Sequence, residues 1–120
     1  MITKYPLLDV VPGGEPQKFH ISKFDKNSRT LQFRLFASSG ELDIPSGTTA
    51  SLEGRKPDMS ELKVSASLNG YLVTVTLPES AADKAGYVPC NIILKNGNKR
   101  LYSELFILVV DKPAKEDDDV

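Results

Sequence analysis

The single histidine is the first residue that could do chemistry. His20 alternates with Phe19 and Ile21, which predicts that its imidazole lies on the polar face of a short strand. A histidine acts as a general base only when a nucleophile and an orienting carboxylate are held beside it. The sequence offers no such pair at a defined spacing, so we expect His20 at the surface and predict that the chain is not an enzyme.

The single cysteine points to packing rather than reactivity. Cys90 falls in phase with Val88, Ile92 and Leu94, which is typical of a small buried side chain. One cysteine excludes an intramolecular disulfide and any metal site built on cysteine pairs. We therefore predict no catalytic thiol.

Motifs that would hold a cofactor or metal are not found. The acidic run 117–119 could attract a hard cation, but it lacks the alternating carboxylates and the glycine of a calcium loop. The glycines occur singly or paired in turns, without the spacing that cradles a phosphate. We predict no catalytic residues, no cofactor and no metal.

Two surface features allow a binding role. Gly54 precedes Arg55, Lys56 and Pro57 near the end of a predicted strand. The glycine indicates a bulge or a close backbone approach, with the side chains of Arg55 and Lys56 displayed at the edge of the sheet. The alternative is a plain strand exit into a proline turn. Three tyrosines on outward phases would suit either sugar stacking or the edge of a sandwich. They are Tyr71, Tyr87 and Tyr102.

The bulk composition describes one ordinary domain. The chain has 120 residues, 40% of them hydrophobic and 26% charged, and a formal net charge of −1. Proteins that bind nucleic acid or anionic membrane through phosphates carry a basic surplus, so neither partner is predicted. No signal peptide and no stretch of 18 apolar residues is present, which favours a reducing cytoplasm as the place of synthesis.

The sequence pattern predicts that β-strands position these residues. Leu31, Phe33 and Leu35 alternate with polar residues, and Asn69-Gly70 separates two further alternating runs, as in a β-hairpin. We predict one or two helical turns in 78–86 and an antiparallel β-sandwich of about seven strands, with a small barrel as the alternative. The predicted strands are 17–24, 30–36, 48–55, 62–68, 73–77, 87–95 and 99–110.

The chain divides into three parts by composition. Residues 1–16 contain three prolines and the pair Gly13-Gly14, which predicts an arm with one short extended piece at 7–11. Residues 17–111 form the predicted sandwich. Residues 112–120 form a predicted disordered, acidic tail.

The last strand is apolar on both faces. We place Leu105 and Ile107 in the core, so that Phe106, Leu108 and Val110 need a second cover from the arm or from a partner. We predict an interface through these three residues together with Arg55 and Lys56. The other predicted core members are Phe19, Ile21, Leu31, Phe33, Leu35, Leu52, Val64, Leu68, Val73, Val75, Leu77, Val88, Cys90, Ile92 and Leu94.

The order of these motifs resembles the N-terminal domain of phage baseplate upper proteins, known from phages and prophages of Gram-positive bacteria. The resemblance spans roughly residues 19–110. The motifs that carry it are Asn27-x-Arg29-Thr30-Leu31-x-Phe33-x-Leu35, Ala50-Ser51-Leu52-Glu53-Gly54-Arg55-Lys56-Pro57-Asp58, Asn69-Gly70-x-x-Val73-x-Val75-x-Leu77, Ala85-Gly86-x-Val88-Pro89-Cys90-x-Ile92-x-Leu94 and Phe106-Ile107-Leu108-x-Val110.

The resemblance implies an immunoglobulin-like sandwich that helps to build the tail-tip baseplate by docking on other virion proteins. It further implies synthesis in the bacterial host cytoplasm, a final place in the virion, and a homo-oligomer such as a trimer. Two other functions stay open from the sequence: a stand-alone carbohydrate- or cell-wall-binding sandwich, and a head-fibre or decoration protein.

Overall fold

The computed structural model describes residues 1–114, which are almost entirely β-strand. One 3₁₀ turn, Glu79–Ala81, replaces the predicted helical turns. The strands are β1 (Ile2–Lys4), β2 (Leu7–Asp9), β3 (Gln17–Ser22), β4 (Arg29–Phe36), β5 (Thr49–Arg55), β6 (Glu61–Asn69), β7 (Leu72–Thr76), β8 (Gly86–Asn96), β9 (Lys99–Tyr102) and β10 (Phe106–Asp111).

Two sheets share one long strand. Sheet A has the order β1-β4-β7-β6, with β2 also paired to β4, and sheet B has the order β6-β5-β8-β10-β3, with β9 also paired to β8. Residues 61–66 of β6 pair with β5, whereas residues 67–69 pair with β7, so β6 crosses from one sheet to the other. The strand order begins at β1 and ends at β3. The predicted all-β sandwich is confirmed.

Three aromatic rings bind the two sheets together at the centre. Phe33 of sheet A contacts Phe106 and Phe19 of sheet B, with ring centroids 4.8 Å and 5.9 Å away. Phe33 and Phe106 are fully buried, because each strand turns alternate side chains toward the other sheet. The alternation at 31, 33 and 35 therefore predicted the inner face of β4 correctly.

The two ends of the sandwich differ in their connections. At one end, which we call the hairpin end, lie the β6–β7 turn, the β8–β9 turn and the loop 37–48. At the opposite end, which we call the turn end, lie the 3₁₀ turn, the β5–β6 connection and the end of β10. The described chain leaves the sandwich at the turn end.

The predicted phase of the last strand is wrong. Phe106, Leu108 and Val110 face the core, whereas Leu105 is 42% exposed and Ile107 only half-buried. The sequence could not decide the phase, because both faces of this strand are apolar and β10 lies inside sheet B between β8 and β3.

The predicted final strand is also interrupted. β9 and β10 pair with successive parts of β8, and Ser103 lies in the break between them. The buried Ser103 hydroxyl accepts the Ile92 N–H and donates to the Glu104 carbonyl, at 2.9 Å each. The Ser103 N–H still donates to the Ile92 carbonyl at 2.9 Å, so the hydroxyl replaces one backbone acceptor where the chain shifts from β9 to β10.

The N-terminal segment is part of the sheet. β2 was expected as the short extended piece, but β1 was not, and both strands pair in parallel with β4. Leu8 of β2 is fully buried beside Leu35. The arm therefore contributes to the core instead of lying over it.

Candidate docking surfaces

His20 lies at the surface, as expected. Its Nδ1 is 2.7 Å from the Asp111 Oδ2, and both side chains are more than half exposed. The two residues lie on the adjacent strands β3 and β10. The arrangement is an exposed polar pair on the outer face of sheet B.

Cys90 is a core residue, as its phase predicted. It is fully buried, and burial raises the pKa of its thiol to about 12. The Sγ donates to the Val88 carbonyl at 3.3 Å. A neutral, enclosed thiol of this kind is a weak nucleophile.

Gly54 marks a close backbone approach, one of the three expectations for it. It pairs with Cys90, and a Cβ placed on Gly54 would lie 2.6 Å from the Pro89 carbonyl oxygen and 2.7 Å from the Cys90 Sγ. The ladder from β5 to β6 continues through Arg55 without an inserted residue. The glycine therefore makes room for the sulfur atom.

The two cations after Gly54 do not both lie at an open rim. The Lys56 side chain is only 10% exposed, and its Nζ lies 3.0 Å from the Asp83 Oδ1 and donates to the Ser80 carbonyl at 3.1 Å. Lys56 thereby holds the 3₁₀ turn against the end of β5. The prediction that Lys56 is exposed for contact with a partner is wrong. Arg55 is exposed and donates to the Met59 carbonyl at 3.0 Å.

The three apolar residues predicted as an interface are core residues. Phe106 and Leu108 are fully buried and Val110 is nearly so. The outer face of the same strand is covered at Val109, which is in register with His20 and Tyr87. Across that position the Lys18 ammonium lies 5.5 Å from the Tyr87 ring centroid. Side chains of this same chain therefore pack on both faces of β10. The prediction of an interface at Phe106, Leu108 and Val110 is wrong.

The exposed tyrosines do not form one stacking surface. Tyr71 lies in the β6–β7 turn of sheet A, whereas Tyr87 and Tyr102 lie on sheet B. Tyr87 and the Tyr102 partner Ile93 are six positions apart along β8, a separation of about 20 Å. A single sugar ring cannot contact Tyr87 and Tyr102 at once, and Tyr71 belongs to the other sheet.

The arm is fastened to sheet B by Asp9 and Glu104. The Asp9 N–H donates to the Glu104 Oε2, and the Glu104 N–H donates to the Asp9 carbonyl, both at 2.8 Å. The Asp9 carboxylate accepts N–H bonds from Val11 and Ser38. Hydrogen bonding by the Ser38 side chain is the largest cause that lowers the pKa of Asp9. We call this arrangement the arm clasp.

An exposed apolar patch lies on the outer face of sheet A at the hairpin end. Leu7, Arg34 and Leu72 stand in register on β2, β4 and β7, and Phe36 follows Arg34 on the same face. Leu7 is 58% exposed, Phe36 is 39% exposed, and Tyr5 beside them on the arm is 73% exposed. We call Tyr5, Leu7, Phe36 and Leu72 the sheet A patch.

A groove of about 260 Å³ opens at the hairpin end of sheet B. Its floor is apolar, and its walls are β9 and the loop 37–48. The side-chain amide of Asn96 holds the loop by donating to the Ser46 carbonyl at 3.1 Å and to the Thr48 Oγ1 at 3.0 Å. The lining residues are Asp43, Ile44, Pro45, Thr48, Leu94, Lys95, Asn96, Lys99, Arg100 and Leu101. We call it the β9 groove.

The sequence did not reveal either surface. The patch joins residues from three strands and the arm, and the groove joins a loop to a hairpin, so neither has a local motif. Single apolar residues on outward phases, such as Phe36 after Leu35, were the only signal available.

Within residues 1–114, no group of three or more His, Cys, Asp or Glu side chains is placed to hold a metal ion. The same residues contain no helix long and apolar enough to cross a membrane.

Comparison with known proteins defines the class. Residues 12–120 match the model of the BppU N-terminal domain. Among solved structures, the N-terminal domain of phage TP901-1 ORF48 superposes with a TM-score of 0.69 at 15% identity, covering 93% of this chain and 100% of that one. A search of curated proteins gives no match.

The fold and the family match together define a structural domain of the phage tail baseplate. The chain belongs to the BppU N-terminal domain family, the N-terminal domain of phage baseplate upper proteins. It is thus a virion tail component whose role involves contact with other virion proteins.

Proposed function

We propose that this domain is a non-enzymatic docking module, which binds a neighbouring baseplate protein through the sheet A patch. It is made in the host cytoplasm and then assembled into the tail tip. The family match over residues 12–120 supports the proposal, because a baseplate is an assembly built from protein contacts.

The patch has the properties of an interface core. It groups two large aromatic side chains and two leucines around Arg34, and aromatic and arginine side chains are enriched where proteins meet. It lies on strands that are paired on both sides or fastened by the arm clasp, so docking requires little ordering of the backbone.

The test is copurification of the tagged chain with the tail-tip proteins encoded beside it. Leu7→Ser with Phe36→Ser should reduce capture at least tenfold, because about 1.4 kcal/mol of lost interface energy corresponds to that factor. The matched control is Phe24→Ser with Met59→Ser, two exposed apolar side chains at the turn end. Equal capture by both variants would exclude the patch as the docking surface.

A further inference from the structure

Two features of the β9 groove suit an acidic peptide. The groove floor offers Ile44, Leu94 and Leu101 to apolar atoms.

The second feature is a local excess of positive charge. The lining contains the cations Lys95, Lys99 and Arg100 and one acid, Asp43, in a chain whose net charge is −1. Lys95 is paired with Glu53 at 3.5 Å. Lys99 and Arg100 have no ion-pair partner among residues 1–114 and lie fully at the surface, so they are available to a carboxylate.

The chain itself carries an acidic segment of the required kind. Residues 116–119, which lie outside the described residues, read Glu-Asp-Asp-Asp. They follow β10, which ends at the turn end, opposite the groove. The groove and the segment are therefore complementary in charge, and the described chain ends at the side of the domain opposite the groove.

The segment is badly placed to fill the groove of its own molecule. Val110 pairs with Gly86 and Lys99 pairs with Asn96, so the two ends of β8 lie about 33 Å apart. Asp119 is eight residues beyond Asp111, which allows at most about 29 Å even for a fully extended chain. β10 also runs away from the groove, so the chain would first have to reverse.

We propose that the β9 groove binds the acidic segment Glu116–Asp119 of a second copy of this chain. The contact joins the turn end of one molecule to the hairpin end of the next. It is heterologous, so copies related by it form a ring or an open row. The proposal is independent of docking through the sheet A patch, since the patch variants leave the groove intact.

Sedimentation velocity across protein and salt concentrations tests this contact. The wild-type chain should associate below about 1 mM at low salt, and association should weaken as salt rises. Lys99→Glu with Arg100→Glu should weaken association at least tenfold, and so should neutralising the segment by Glu116→Gln, Asp117→Asn, Asp118→Asn and Asp119→Asn. The matched control Lys26→Glu with Lys84→Glu, at the turn end, makes the same change in net charge and should associate as the wild type.

A mixing experiment tests whether the two elements meet. The groove variant Lys99→Glu/Arg100→Glu, combined with a segment variant carrying Asp117→Lys, Asp118→Lys and Asp119→Lys, should restore association that neither shows alone. A wild-type chain that stays monomeric up to about 1 mM would overturn the proposal. So would equal association of the groove variant and its control, or a mixture that remains monomeric.

Discussion

Asp9 and Glu104 exchange two hydrogen bonds of 2.8 Å, each residue donating its backbone N–H to the other. Asp9 belongs to the arm strand β2 on sheet A, and Glu104 lies in the break between β9 and β10 on sheet B. The clasp therefore links the two sheets at a point where no strand pairing does so. It also fixes the arm residues that form one side of the sheet A patch.

Replacing Glu104 by alanine should loosen the arm. The Asp9 N–H loses its carboxylate acceptor, and because the site is only partly buried, water replaces part of the bond, so the cost should be about 1 kcal/mol. Hydrogen exchange at the Asp9 amide should rise severalfold, whereas Glu104→Gln, which keeps an acceptor oxygen, should change it less. Unaltered exchange in Glu104→Ala would show that the clasp does not hold the arm.

Replacing Phe33 by alanine should remove the centre of the core. Phe33 is fully buried against Phe19 and Phe106, so the loss of its ring should lower the free energy of unfolding by about 3 to 5 kcal/mol. Denaturant unfolding measures this directly. The exposed Phe36, changed in the same way, is the control and should cost much less; a loss below about 1 kcal/mol at Phe33 would contradict its place in the core.

Replacing Gly54 by alanine should destabilise the pairing of β5 with β8. The new Cβ would overlap the Pro89 carbonyl and the Cys90 sulfur, and overpacking of this kind costs about 1 to 3 kcal/mol. Gly40→Ala is the control, since open space surrounds Gly40. The two variants should differ clearly in thermal unfolding, and equal midpoints would refute the close approach.

Cys90 should be inert in the folded protein and should make stability depend on alkaline pH. Its folded pKa of about 12 lies above the ordinary value of 9.0, so the unfolded thiol ionises first. The neutral thiol's contribution to the free energy of unfolding is complete below pH 9. It is lost as pH rises toward 12, at up to about 1.4 kcal/mol per pH unit. In Cys90→Ala, the free energy of unfolding should lack this decrease with pH between 9 and 12. Rapid labelling of the native wild-type thiol at pH 8 would contradict the burial of Cys90.

The sequence predicted the features that alternation controls. The inner face at Leu31, Phe33 and Leu35, the hairpin at Asn69-Gly70 and the buried phase of Cys90 all follow from a period of two, and the structure confirms them. These elements each carry one apolar face, so a local pattern determines their orientation.

The sequence did not predict features that depend on contacts between residues distant in the chain. Both faces of β10 are apolar, so the phase depended on pairing with β3 and β8, which are distant in sequence. Lys56 reads as a surface cation until the fold brings Asp83 beside it. The sheet A patch and the β9 groove are likewise products of tertiary pairing.

The central claim is that this chain works as a structural part of the tail tip, and immunogold electron microscopy of intact virions tests it most directly. Antibodies raised against the folded domain should label the baseplate at the distal end of the tail. Intact virions that carry no label, or label confined to the capsid as for a head-fibre protein, would contradict the account.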